Sequence, residues 1–358
     1  MAGKYGKEEV LLKALLLAGG LGTRMRPLTE SMPKPMAPVG NRPWLEQLVL
    51  HLKSQGIREF VMAVKYFPDR IQKHFGDGSR LGVRIRYAVE PILLGTAGAI
   101  KNAEPLLGDR FLVLNADIIQ DAPIEPLLKF HETHGGAATI GLVAVDDPTS
   151  YGVVDLDANG RIHRFVEKPA KHEAPSNLVN AGIYILEKEV LRHIPPGREV
   201  SIERETFPRL IAIGAGVYGK AIEGYWMDMG TRDRYRKVHW DLLDRTFRLP
   251  LQGKEWKKGV WVGEHTVVSS DVSLVPPVLI GDRVRIGEGS VIGPYAVIGD
   301  GCEIGRGVRV TETIMWNDCR VSDDAHLNGC IFGASLRIGP RHFLYDAVVS
   351  RGAEVRPE

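Results

Sequence analysis

Residues 280–305 read IGDRVRIGEGSVIGPYAVIGDGCEIG, with an Ile-Gly pair at 280, 286, 292, 298 and 304. Isoleucines scattered through a glycine-rich loop would not hold one phase through five consecutive pairs. A six-residue period fits one short strand and one turn, which is one face of a triangular coil. The aliphatic residue points inward and the glycine permits the corner. Stacked coils then bury a column of isoleucines. The period fades outwards, through Val262-Gly263 upstream and Val310 and Ile338-Gly339 downstream. The coil region spans about residues 260 to 350.

The chain has 358 residues, 40 of them glycine and 22 proline. At roughly 150 residues per domain this length predicts about two domains. A hydrophobic share of 44% with 25% charged residues fits a soluble globular protein and excludes a disordered one. Lys plus Arg is 46 and Asp plus Glu is 44, a net of +2, so no broad basic surface for nucleic acid or an anionic membrane is expected. No apolar run reaches the length of a membrane span. Val10–Leu17 is apolar but short and contains Lys13, and it reads as a buried strand rather than a signal peptide. The three cysteines, Cys302, Cys319 and Cys330, form no CxxC pair. That argues against a disulfide framework or a zinc site and fits a reducing cytoplasm.

The first 240 residues have a different texture, with apolar strands alternating with helical patterns. Leu11–Leu17, Phe60–Val64, Phe111–Leu114 and Thr139–Val145 read as strands. Trp44–Gln55 places Leu45, Leu48, Val49 and Leu52 on one helical face and stops at Gly56. Ala97–Leu107 and Leu127–His134 read as further helices. This alternation predicts an α/β domain of Rossmann-like type with a mainly parallel, buried sheet. Ligands of such sheets sit beyond the carboxyl ends of the strands, where Gly19-Gly20, Asp117 and Asp228 fall. The expected organisation is one domain over 1–240, a linker over 241–258 and the coil domain over 259–358. Thr231–Phe247 reads as a connecting helix and Arg248–Lys258 as irregular linker.

After the first strand comes Gly19-Gly20-Leu21-Gly22-Thr23-Arg24-Met25-Arg26-Pro27-Leu28-Thr29. Glycines here let backbone N–H groups approach a triphosphate. Arg24, Arg26 and Lys34, the last within Pro33-Lys34-Pro35, add the fixed positive charge that a leaving pyrophosphate needs. The loop is neither a Walker A motif nor a dinucleotide fingerprint, because it lacks Gly-Lys-Ser/Thr and the GxGxxG spacing.

This stretch resembles the signature of the sugar-1-phosphate nucleotidyltransferases, and the resemblance repeats in order along about 240 residues. Gly95-Thr96-Ala97-Gly98 is similar to the second nucleotide loop. Asn115-Ala116-Asp117 and Trp226-Met227-Asp228-Met229-Gly230-Thr231 are similar to the two metal-binding motifs. Tyr151-Gly152-Val153-Val154, Phe165-Val166-Glu167-Lys168-Pro169 and Asn180-Ala181-Gly182 are similar to the sugar-phosphate motifs. The coil region resembles the left-handed parallel β-helix of hexapeptide-repeat proteins, which is also common in this family. The resemblance implies a nucleotidyltransferase domain followed by that β-helix.

It also implies roles. Asp117 and Asp228 match the carboxylates that hold Mg²⁺, a cation that takes one or two carboxylates plus substrate phosphates. Arg24, Lys34 and Asp117 match the catalytic set. Ala18, Gly19, Gly20, Gly22, Thr23, Gly95, Thr96 and Ala97 match nucleotide-binding positions. Gly152, Glu167, Lys168, Asn180 and Gly182 match sugar-phosphate positions. The implied reaction joins an NTP to a sugar 1-phosphate, giving NDP-sugar and pyrophosphate by direct in-line attack without a general base.

Glu90 lies just before the Gly95 loop, in the region where the family reads the base. Unless it is a surface charge, a carboxylate there accepts from both N1–H and N2–H of guanine. Residues 176–206 are similar to mannose-1-phosphate guanylyltransferases, so GTP and mannose 1-phosphate come first. Uridylyl, thymidylyl or adenylyl transfer to glucose 1-phosphate comes next, and guanylyl transfer to a heptose or another sugar stays open. Two readings from other classes also stay open. One is an acyltransferase using His265, His326 or His342. The other is a non-catalytic sensor of nucleotide sugars. The apolar Ile314-Met315-Trp316 and the open coil edge suggest a homo-oligomer formed through the β-helix.

Overall fold

The computed structural model describes residues 12–355, so Val10 and Leu11 of the first predicted strand lie outside the described residues. Contacts divide the chain into two compact units. One holds residues 12–20 and 48–226, and the other holds 21–47 and 227–355. Two of the three boundaries fall inside signature motifs, at Gly20–Leu21 and at Trp226–Met227, and the third, Gln47–Leu48, falls within the helix Trp44–Ser54.

The first unit is built on one nine-stranded mixed sheet. Its strands are β1 (Lys13–Leu17), β2 (Glu59–Val64), β3 (Arg84–Val89), β4 (Arg110–Asn115), β5 (Ala138–Ala144), β6 (Gly152–Leu156), β7 (Ile162–Glu167), β8 (Leu178–Glu187) and β9 (Val217–Ala221). The order is β7-β6-β8-β4-β1-β2-β3, with β5 paired to β8 and β9. The four strands β3, β2, β1 and β4 run parallel. They read as continuous apolar runs because helices cover both faces of a parallel sheet. Ala14, Leu15, Leu16, Phe111, Leu112 and Val113 are all fully buried. Strand β8 runs antiparallel to β4 and β5, which makes the sheet mixed. Leu17 of β1 pairs in register with Asn115 of β4, and Ala116 N donates to Leu17 O at 3.1 Å. That register sets the Gly19-Gly20 turn and Asp117 at neighbouring strand ends.

The helices are α1 (Trp44–Ser54), α2 (Pro68–Phe75), α3 (Gly95–Asn102), α4 (Glu125–His134) and α5 (Phe207–Ala212), of which α2 and α5 were not expected and α4 begins two residues earlier than expected. The helix read over Ala97–Leu107 is in fact α3 followed by a separate 3₁₀ turn at Glu104–Leu106, since Pro105 cannot continue an α-helix.

The second unit carries a left-handed parallel β-helix, with parallel sheets on its three faces. Ile280, Ile286, Ile292, Ile298 and Ile304 line its interior and are buried. Val260, Val278 and Ala296 stack in register 18 residues apart. Ile314, Ile331 and Val348 stack only 17 apart. Each later coil is one residue short, which is why the six-residue phase fades after Gly305. The stretch read as irregular linker is partly ordered, because Lys254–Lys257 forms a strand antiparallel to Val260–Val262.

Helix α6 (Arg232–Leu243) belongs to this unit. Leu279, Val297, Ile314 and Ile331 point outward from the coils yet are at most 1% exposed. Side chains of the same unit cover that face: a Cβ on Gly40 would touch both Leu242 and Leu279. Asn41 Nδ2 donates to Ile298 O at 2.9 Å. Trp240 packs its ring 5.2 Å from Tyr295. Ile314, Met315 and Trp316 are therefore buried within their own unit.

Candidate active site

In the second unit, Met25, Leu28 and Thr29 are buried and anchor the phosphate loop, leaving Thr23, Arg24 and Arg26 exposed. Thr29 Oγ1 donates to Gly22 O at 2.8 Å and closes the loop. Gly22 has φ +60°, and a Cβ there would lie 2.9 Å from Cβ of Lys34. The loop therefore lies directly against Lys34. Lys34 is only 5% exposed, and its ammonium is 3.7 Å from Asp228 Oδ1. The other oxygen of Asp228 accepts from Arg234 Nη1 at 3.0 Å. Arg232 donates through Nε to Arg26 O at 3.0 Å, joining the start of α6 to the loop. Predicted Lys34 and Asp228 thus meet. Arg234 was absent from the sequence reading; its only local signal is a cation in the first turn of a helix, where the dipole favours acids.

In the first unit, Glu90 is 5% exposed and is not a surface charge. Its Oε2 accepts from Leu94 N at 3.2 Å, and Oε1 would lie 2.6 Å from a Cβ on Gly19. Burial raises its pKa, against the lowering effect of the Leu94 N–H and the charge of Lys65. Predicted Gly19 and Glu90 are therefore neighbours. Gly20 is exposed, and a Cβ there would meet no protein atom within 4 Å. Open space beside a loop amide is what a bound phosphate requires.

The Gly95 loop is tied to a distant segment. Ala97 N and Gly98 N donate to Val200 O at 2.9 and 3.2 Å. Thr96 Oγ1 donates to Glu203 Oε2 at 2.8 Å and accepts from Ile202 N at 2.8 Å. These groups are satisfied within the protein, and the closeness of Val200 O, 2.6 Å from a Cβ on Gly95, explains that glycine. Glu203 lies in a π-helical turn, Ile202–Thr206, and also accepts from Ser201 Oγ at 2.7 Å. Nothing local in the sequence marks Glu203, whose partner Thr96 lies 107 residues away.

The residues expected to bind the sugar phosphate gather near a bulge in β8. The β8–β5 register slips between Asn180 and Tyr184, and Gly182 takes φ +71°. Asn180 Oδ1 accepts from Gly182 N at 2.9 Å, while its Nδ2 donates to Tyr184 Oη at 2.8 Å. A Cβ on Gly182 would lie 2.8 Å from Asn115 Nδ2, so the bulge lets β8 close on the end of β4. Glu167 is mostly buried, and burial together with the charge of Glu203 raises its pKa. Lys168 stays half-exposed at left-handed φ, 3.8 Å from Glu167 Oε1. Gly152 packs under Phe165 and Glu167.

Asp117 and Asp228 are hard oxygen donors, and no cluster of three or more His, Cys, Asp or Glu able to hold a metal occurs among the described residues. Each carboxylate is of the kind that a hard divalent cation takes together with substrate phosphates. The coil histidines do not form a catalytic group. His265 is exposed at a corner, His326 packs on Phe343, and the ring nitrogens of His342 are enclosed with no hydrogen-bond partner.

Residues 13–245 match the family described as Nucleotidyl transferase, and residues 274–358 match the GMPPB C-terminal domain. The chain belongs to the nucleotidyl transferase family. Among curated relatives, mannose-1-phosphate guanylyltransferase of Mycobacterium tuberculosis is 39% identical over 77% of this chain and 77% of its own length. Mannose-1-phosphate guanyltransferase of Aspergillus fumigatus is 40% identical over 92% of this chain and 88% of its own. UTP–glucose-1-phosphate uridylyltransferase of Synechocystis is 35% identical over 90% and 87%. Among solved structures, HddC from Yersinia pseudotuberculosis complexed with GMP-PN is 27% identical, with TM-score 0.56, covering 64% of this chain and 99% of that one.

Proposed function

We propose that the protein is a mannose-1-phosphate guanylyltransferase, making GDP-mannose and pyrophosphate from GTP and mannose 1-phosphate. An oxygen of the sugar phosphate attacks the α-phosphorus as the bond to the β-phosphate oxygen breaks, and pyrophosphate leaves. The phosphate is already anionic at neutral pH, so no general base is needed. The observation that carries this reading is Lys34, buried beside the loop and paired with Asp228, in a cluster that also holds Arg234. Buried cations preset for developing phosphate charge lower the barrier without reorganisation.

Ala18, Gly19, Gly20, Gly22 and Thr23 cradle the triphosphate, with Arg24 and Lys34 on the leaving pyrophosphate. Glu90 accepts from guanine, and Gly95, Thr96 and Ala97 shape that side. Lys168 takes the sugar phosphate. Glu167, Asn180, Gly152 and Gly182 form the sugar side. Asp117 and Asp228 would hold Mg²⁺, which neutralises phosphate charge when bound. In this reading the domains are 1–240 and 259–358 around the linker 241–258. The enzyme works in the cytoplasm as a homo-oligomer assembled through the β-helix. A matrix of four nucleoside triphosphates against several sugar 1-phosphates, read by pyrophosphate release, tests the reaction. Highest kcat/KM for GTP with mannose 1-phosphate is expected. A maximum for UTP with glucose 1-phosphate replaces the substrate pair, and no release with any pair overturns the reaction.

A further inference from the structure

Three neighbouring strand ends of the first unit meet at Glu90. Gly19 follows β1, Lys65 follows β2 and Glu90 follows β3, and the three strands lie side by side in parallel. A Cβ on Gly19 would lie 2.6 Å from Glu90 Oε1 and 3.4 Å from Lys65 Cβ, so both side chains pack where the phosphate loop begins. Lys65 Nζ donates to Pro91 O at 2.7 Å and to Glu90 O at 3.2 Å. The turn it holds is exposed at Pro91, Ile92 and Leu93, while Glu90 and Leu94 at its ends are buried. Water can satisfy carbonyls of an exposed turn, and fixing a lysine chain costs side-chain entropy. What water cannot supply is a fixed positive charge beside a buried carboxylate. Burial pushes the pKa of Glu90 up, and the Leu94 N–H and the charge of Lys65 oppose that rise.

We propose that Lys65 is a positioning residue that sets Glu90 for reading guanine. Its two bonds fix the main chain at Glu90 and Pro91, and its charge favours the ionised carboxylate. An ionised carboxylate offers acceptors to both N1–H and N2–H of guanine, whereas a protonated one spends one oxygen on its own O–H. Lys65 acts through Glu90 and need not touch the base. Its loss therefore weakens recognition of the guanine edge more than it weakens the hold on the phosphates. Hypoxanthine keeps N1–H and lacks the N2 amino group, so the preference for GTP over inosine triphosphate reports the second of these bonds. This inference rests on the reading of Glu90 as the guanine acceptor.

The test follows pyrophosphate release by the full-length protein with mannose 1-phosphate and either GTP or inosine triphosphate. Lys65→Met is expected to lower kcat/KM for GTP about three- to tenfold, mainly through KM, and to lower it less for inosine triphosphate. The preference for GTP therefore falls. Lys65→Arg, which keeps the charge and the donors, should retain most of that preference. In a Glu90→Gln background, Lys65→Met should change the preference no further, because its effect runs through Glu90. A preference left unchanged by Lys65→Met, or lowered equally in both backgrounds, overturns the positioning role while Glu90 keeps its own. If Glu90→Gln alone leaves the preference unchanged, Glu90 does not read guanine and the inference falls with that reading.

Discussion

Trp316 Nε1 donates a 2.9 Å hydrogen bond to the hydroxyl of Tyr235, and that hydroxyl donates in turn to Pro38 O. A coil residue, a residue of α6 and the segment just past Lys34 are thereby joined within one unit. Tyr235 is fully buried, so the hydroxyl has no water to turn to if either partner is lost.

Tyr235→Phe removes the hydroxyl and leaves both Trp316 Nε1 and Pro38 O without it. A cost of about 2 to 4 kcal/mol in urea unfolding is expected, more than for Trp316→Phe, which leaves the Pro38 bond intact. Because Pro38 lies four residues from Lys34, Tyr235→Phe should also raise the KM for nucleotide. An unchanged unfolding midpoint would contradict the bridge.

Lys34→Ala removes a buried cation from beside Asp228. We expect kcat to fall about 10²- to 10³-fold in a variant that still folds but unfolds at lower urea, because a buried ion pair loses one partner. Asp117→Ala and Asp228→Ala should abolish turnover while the protein stays folded. Near-normal turnover by an Asp117 variant would remove that residue from the metal site.

Glu90→Gln separates stability from specificity. Burial raises the pKa of Glu90. A raised carboxylate pKa means the folded state binds the proton more tightly than the unfolded one. The ionised group therefore costs stability above its unfolded pKa, and that cost is relieved as pH falls. The neutral amide can still accept from Leu94 N, so the variant should be more stable at pH 7. It should also lose about tenfold or more in kcat/KM for GTP, with a smaller loss for UTP. Equal losses for the two nucleotides would deny Glu90 a part in base selection.

His239 predicts a pH dependence. It is 1% exposed, and its Nδ1 bonds to Tyr235 O at 3.0 Å. Burial lowers its pKa from 6.5 to about 4, opposed by backbone hydrogen bonds to Tyr235 and Pro38. The unfolded chain therefore takes up the proton first as pH falls. The stabilisation is complete above pH 6.5 and is lost as pH falls towards 4, on the order of 3 kcal/mol in all. Urea midpoints of wild type and His239→Gln between pH 4 and 7.5 check this. The variant's acid limb should be shallower, and equal limbs would rule His239 out as its source.

Much of this was legible from residues close in sequence. Parallel strands buried on both faces must be apolar throughout, so β1, β2 and β4 could be read directly. The isoleucine column must recur with the coil, so the β-helix could be read from its pairs. The pairing of Lys34 with Asp228 could be anticipated only as a proposal, because their motifs lie far apart in the chain and only packing brings them within 3.7 Å. Glu203 was not legible, because its bond to Thr96 spans 107 residues and depends on how the turn after Val200 packs on α3. The 17-residue coils were hidden for a different reason. Dropping one residue at a corner erases the sequence phase while leaving the stack intact.

By itself, the sequence determined the order of the two architectures, the inward face of each coil and the motifs of the nucleotidyl transferase family. These follow from periodicity and chemistry, which are carried by near neighbours along the chain. Only the tertiary structure decided what surrounds those residues. It placed Arg234 on Asp228, buried Trp316 under α6 and turned Glu90 inward against Gly19. It also showed that Gly95, Gly152 and Gly182 make room for Val200, Phe165 and Asn115, whereas Gly20 faces open space. The physical reason is that a buried polar group takes whichever partner packing brings within about 3 Å, and that partner can come from anywhere in the chain.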